Sequence, residues 1–312
     1  MADVAASVLA KLKNKAKATG ISYQQCLQLF FQEEFLRKLA GSRYTENFVL
    51  KGGLFIYTLT NFESRATVDI DFLMRGLKND LESMDQIIAD ILTVSTGNEF
   101  VTFQASQTKP IAVQRKYHGI STQLTGRIKN VRVPFHVDIG VGDIVVPHPE
   151  RRKIQTQLEG YDKPEILTYS LESTIAEKFD AMLQRFELTG RMKDFYDIYY
   201  LSRTFDFDGL KLQTALQETL QNRGTAYGGK SFDRILTLAE EEDMQVKWRC
   251  FLRTLGDPAL PFQDIIGGIQ RFLAPVWDEF LKQREFLATW KAAQASWSIW
   301  SPEENTRKTE TD

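Results

Sequence analysis

The chain has 312 residues, 43% of them hydrophobic and 26% charged, which is the make-up of a soluble globular protein and not of a disordered, collagenous or membrane-embedded one. The 39 Lys and Arg against 41 Asp and Glu leave a net charge of −2, so any nucleic-acid surface has to be a local patch. Its two cysteines, Cys26 and Cys250, are far apart and form no CxxC pair, which argues against a disulfide scaffold or thiolate zinc site and fits a reducing cytosol. No apolar run approaches the ~20 residues of a membrane span, and the N-terminal segment carries charge where a signal peptide has its apolar stretch. The expectation is a cytoplasmic protein with no membrane partner.

In chain order, the first forty residues read as helical, with Val4, Val8, Leu9 and Leu12, then Leu27, Phe30, Phe31 and Phe35, recurring mostly at spacings of three and four. Asn47 to Leu50 is a short β-prone run ending at Lys51-Gly52-Gly53, and LFIYTLTNF reads as a buried helix. Val68 to Met74 predicts a strand, residues 80–96 a crossover helix, and β-rich runs follow near 100–105, 111–124 and 131–141. From Ser170 the apolar positions keep helical spacing almost to the end, with breaks at Gly228-Gly229 and around Asp257-Pro258. The predicted class is α+β: a helical lead over 1–42, a small mixed-sheet core over 43–165, an all-helical domain over 166–300 and a polar tail over 301–312.

The chemistry concentrates in GGLFIYTLTNFESRATVDIDF. On a strand, alternate side chains share a face, so Asp69 and Asp71 point the same way about 6–7 Å apart. Two carboxylates aimed together repel unless a cation lies between them, which suits Mg²⁺, one ion or two, held with the phosphates of an NTP substrate. Gly52 and Gly53, between strand and helix, let backbone amides approach a phosphate, with Arg65 and Thr67 just ahead of the acids. Asp138, on the predicted strand FHVDIGV, supplies a third carboxylate if that strand pairs beside Val68–Met74; alternatively it pairs with His136. In the helical half, Lys178 falls on the border of the apolar stripe of Leu171, Ile175, Phe179, Met182, Leu183 and Phe186. It either snorkels or reaches a phosphate. Arg191, Lys193, Asp194 and Asp197 cluster at a helix start after Gly190, which by itself is only a salt-bridged terminus.

The order GG, R-x-T-x-D-I-D-F, a strand aspartate, E-K-F-D-A-M and R-M-K-D-F-Y-D-I resembles the AbiEii/AbiGii (MenT-type) nucleotidyltransferase-like toxins over about residues 47–203. The resemblance implies a minimal nucleotidyltransferase core, a Mg²⁺-bound NTP, an RNA 3′ end as acceptor with tRNA foremost, and a cognate antitoxin in a bacterial toxin–antitoxin or phage-defence pair. By position it makes Gly52 and Gly53 the phosphate loop, Asp69 and Asp71 the metal pair, Lys178 the nucleotide-binding lysine and Asp194 the acid of the KD motif. Many nucleotidyltransferases carry Gly-Ser where this chain has Gly52-Gly53, so backbone amides must replace a hydroxyl here. Asp138 as metal ligand or base rests on the strand argument and not on the family.

An RNA partner has separate support. From Val101 to Val137 the chain holds Lys109, Arg115, Lys116, Arg127, Lys129 and Arg132 and no acidic residue, a one-sided stretch suited to a phosphate backbone, although strand Lys and Arg also guard exposed edges. Two rivals remain on sequence grounds. One is an NTP-dependent kinase or nucleotide-binding switch using the same acids, and the other a non-catalytic protein that binds an antitoxin or RNA.

Overall fold

Two capped helices lead the chain: α1 (Val4–Thr19), whose Asp3 side chain accepts the amide of Ala6, and α2 (Tyr23–Ala40), opened by a Ser22/Gln25 capping box. The computed structural model describes residues 3–111, 118–186, 190–256 and 259–299, in two units: residues 1–143 with 149–169, and residues 144–148 with 170–312. The helical lead belongs to the first unit. Its further elements are β1 (Phe48–Lys51), α3 (Gly52–Leu59), β2 (Ile70–Met74), α4 (Leu81–Thr93), β3 (Thr102–Ile111), β4 (Gly119–Ile128), β5 (Val131–Val141), β6 (Glu150–Lys153) and β7 (Glu165–Thr168). Seven strands make one mixed sheet, ordered β3-β4-β5-β2-β1-β7-β6, with β2/β5 and β1/β7 parallel and the other neighbours antiparallel.

α2 is buried on nearly every side because α1, α4 and the sheet all pack on it. Phe30, Phe31, Phe35 and Leu36 fill the core, and Phe31 lies flat enough on β4 that Gly126 has no room for a Cβ. The same helix buries Glu33, Glu34 and Arg37. These groups are tolerated in the interior because each has partners: Arg37 donates to Glu34 and to the Asp162 carbonyl, both at 2.8 Å, and Glu33 accepts the Gln157 amide at 2.8 Å. Burial, opposed by the Arg37 charge, pushes the Glu33 carboxyl up to about 7.

The second unit carries α5 (Leu171–Arg185), α6 (Met192–Thr204), β8 (Phe207–Asp208), α7 (Gly209–Arg223), α8 (Ser231–Thr237), α9 (Glu242–Leu255), α10 (Phe262–Leu281), β9 (Ala288–Lys291) and β10 (Ser296–Ile299). The expectation of an all-helical half is therefore corrected: a three-stranded sheet, ordered β10-β9-β8, closes this unit. Its strands are too short to show a period, and tryptophans give them their burial. Trp290 donates to the Ser202 carbonyl at 2.6 Å, and Trp297 stacks on Phe272 with centroids 5.8 Å apart. The mixed α/β core with a helix-rich second half otherwise stands as read. The Asp257-Pro258 break and the 301–312 tail lie outside the described residues. Among the described residues no helix is long and apolar enough to cross a membrane.

Candidate active site

In the first unit, strand register lines up the chemistry. Lys51 on β1 faces Asp71 on β2, Asp71 faces Asp138 on β5, and Asp138 faces Ser121 on β4. Opposed residues put their side chains on one face, and neighbouring strands stand ~4.8 Å apart. Lys51, Asp71, Asp138 and Ser121 thus form a polar row across four strands. The alternate positions Ile70, Phe72, Val137 and Ile139 are fully buried, so a one-residue slip would drive both aspartates into the core. Ser121 donates to Asp138 Oδ1 at 2.5 Å.

Asp69 does not lie on the strand as expected; it occupies the bend ahead of β2, which starts at Ile70. Two buried glutamines of α2 fix that bend, Gln28 and Gln32 both donating to the Val68 carbonyl, the latter at 2.8 Å. His136 Nδ1 lies 3.5 Å from Asp69 Oδ1, so His136 turns to Asp69, while Asp138 takes the Ser121 hydroxyl.

The glycine pair starts α3. Gly52 has φ +68°, and a Cβ there would overlap the Asp71 carboxylate. A Cβ on Gly53 would come 2.7 Å from Thr67 Oγ1 and 3.5 Å from the Arg65 guanidinium. Thr67, Arg65 and Asp71 therefore crowd the turn, and only glycine fits between them. The N-cap residue Lys51 makes no side-chain cap bond to α3, and a helix N-terminus suits an anion.

The donor set suits a hard cation. Carboxylate oxygens from adjacent strands match Mg²⁺, which usually takes one or two carboxylates and completes its shell with water and substrate phosphate. Among the described residues no group of three or more His, Cys, Asp or Glu is gathered to hold an ion alone, so phosphate oxygens would have to close the shell.

In the second unit, Lys178 of α5 is buried with two acids of α6. Its Nζ lies 2.6 Å from Asp197 Oδ2 and 3.1 Å from Asp194 Oδ1, and Arg191 Nε is 2.5 Å from the other oxygen of Asp194. Side-chain exposure is 10% for Lys178, 2% for Asp194 and 1% for Asp197. Burial would raise the Asp194 carboxyl, but the Lys178 and Arg191 charges outweigh it and hold the group below its ordinary range. The structure joins Lys178 and Asp194 and adds Asp197, which sequence reading left among helix-start charges; the i, i+3 spacing from Asp194 was the available signal.

Of the basic stretch, Arg127 and Arg132 face each other beside the β4–β5 turn. Arg127 donates to Gln104 and Lys129 pairs with Asp3, while Arg132 is exposed. Arg115 and Lys116 lie outside the described residues.

Residues 34–283 match the nucleotidyl transferase AbiEii toxin family of type IV toxin–antitoxin systems, well over half of the chain. The chain belongs to this family. It is a nucleotidyltransferase, as the motifs implied, and AbiEii membership brings an NTP substrate and an antitoxin partner with it. The fold is similar to that of MenT4, a nucleotidyltransferase toxin of Mycobacterium tuberculosis H37Rv, at TM-score 0.50 and 16% identity over 89% of this chain and 99% of that one. JHP933 of Helicobacter pylori aligns at TM-score 0.47 and 13% identity, over 84% and 95% of the two chains. No curated protein matches the sequence. The AbiEii match takes in every candidate residue of both units and begins inside α2, leaving α1 outside it.

Proposed function

We propose that this AbiEii-family protein transfers a nucleoside monophosphate from an NTP to the 3′ end of an RNA, with tRNA as the substrate class, as the toxin of a cytoplasmic toxin–antitoxin or phage-defence pair. The observation that carries the reading is the register that sets Asp71 beside Asp138 and against the Gly52 turn. In the reaction the RNA 3′ oxygen attacks the α-phosphorus in line, the bond from that phosphorus to the bridging oxygen breaks, and pyrophosphate leaves. Asp138 either takes the hydroxyl proton or completes a second metal position. Asp71 and Asp138, with Asp69 at the rim, would hold Mg²⁺, which when bound neutralises charge on the phosphates and lowers the pKa of the attacking hydroxyl. The amides of Gly52 and Gly53 orient the triphosphate, with Arg65 and Thr67 beside them. Lys178, the lysine matched by the family resemblance, is proposed to neutralise the β- and γ-phosphates, and Asp194 to orient that lysine or the nucleotide sugar. Arg127, Lys129 and Arg132, together with Arg115 and Lys116, are the proposed contacts to the RNA backbone.

The test is transfer of label from each α-³²P-NTP to total bacterial RNA with Mg²⁺, comparing wild type with Asp71→Ala after circular dichroism has verified both folds. Label on tRNA-sized RNA with wild type alone is expected. Release or transfer of γ-phosphate without RNA labelling would give the site to a kinase, and neither product would leave a binding protein.

A further inference from the structure

We propose that Lys51 is a further substrate-binding residue whose ammonium contacts the triphosphate of the nucleotide, an inference that rests on the nucleotidyl-transfer reading above. Three independent features of the first unit lead there. Register puts Lys51 directly opposite Asp71, on the face that carries Asp138. In the chain it immediately precedes Gly52 and is the N-cap residue of α3, so it stands where an anion bound by the first amides of that helix would sit. Its side chain is held in place: Nζ is 2.9 Å from Asp143 Oδ2, 3.5 Å from the Tyr169 hydroxyl and 5.1 Å from the centre of the Tyr169 ring.

The charge balance gives the lysine its task. Asp71 and Asp138 share this face with Lys51, with Arg65 beside the glycine turn and Asp143 paired to the lysine. A triphosphate entering such a site is repelled by its carboxylates and drawn to a cation beside them. An ammonium is a compact point charge with three N–H donors, so one lysine bridges Asp143 and a phosphate oxygen together. Asp143 and the Tyr169 hydroxyl lie beside the same ammonium, and Asp143 competes with the phosphate for its charge. At 15% and 16% exposure, Lys51 and Asp143 are shielded enough for the charge to act over a short distance with little screening.

The experiment is isothermal titration calorimetry of each of the four NTPs and NMPs, with Mg²⁺, into wild type, Lys51→Met, Lys51→Arg and Asp143→Asn, with circular dichroism on each variant and the RNA-labelling assay run alongside. The expected result is that Lys51→Met weakens NTP binding at least about tenfold, or ~1.4 kcal/mol, while NMP binding is unchanged, Lys51→Arg recovers most of the loss, and Asp143→Asn binds NTP at least as tightly as wild type. Wild-type NTP affinity in a folded Lys51→Met protein would overturn the assignment, as would equal losses in Lys51→Met and Asp143→Asn, which would make Lys51 only the structural partner of Asp143. In either case, persistent RNA labelling by wild type would leave nucleotidyl transfer standing. No NTP binding and no labelling by wild type would remove both.

Discussion

Replacing Gly52 by alanine separates backbone strain from damage to the active site. At φ +68° any L side chain is strained, by about 1–2 kcal/mol. The new methyl would also overlap the Asp71 carboxylate, which has to leave its place in the row, adding about 1–3 kcal/mol of overpacking. Gly20→Ala is the built-in control. Gly20 closes α1 at φ +75° with nothing within 4 Å of a Cβ, so it carries the strain without the collision. Urea unfolding should show Gly20→Ala losing only the strain component with transfer intact. Gly52→Ala should lose more and, with a carboxylate displaced by about 1 Å, should transfer label about a hundredfold more slowly. Wild-type transfer by Gly52→Ala, or an equal loss of transfer in Gly20→Ala, would refute the idea that the turn exists to admit Asp71.

Two further outcomes follow from buried charge. Burial raises the Glu33 carboxyl from 4.5 to about 7, so between those values the native state keeps a proton that the unfolded chain has released. Its stabilisation is complete below about pH 4.5 and is lost as pH rises through about 7. Unfolding free energies of wild type relative to Glu33→Gln should therefore fall by about 3 kcal/mol between pH 4.5 and 8, and a pH-independent difference would mean that Glu33 is ionised throughout. Asp197→Ala breaks the 2.6 Å pair with Lys178 and should cost about 3 kcal/mol of stability. Thermal unfolding indistinguishable from wild type would show the pair to be energetically idle.

The alternation of IDF, with Asp71 between buried Ile70 and Phe72, the Gly52-Gly53 turn and the helical spacing around Lys178 were all legible locally, because each depends on residues a few positions apart. The family likeness rests on the same short motifs. Chain order also announced a helical lead, a sheet-forming stretch and then a helix-rich half.

Other features depend on partners distant in sequence. β3 is exposed along most of its length, so it shows no alternation, and its hairpin with β4 is set by pairing alone. The strands β8, β9 and β10 are short pieces that gain order only by meeting one another and the tryptophans packed on them. The sequence determined which residues carry charge and which face of each segment is apolar. Tertiary structure decided the register that aligns Lys51, Asp71, Asp138 and Ser121, because a strand's own pattern selects a face but not the residue opposite it. It likewise gave Lys178 a second acid in Asp197, since burial makes an unpaired lysine costly and packing brings the partner.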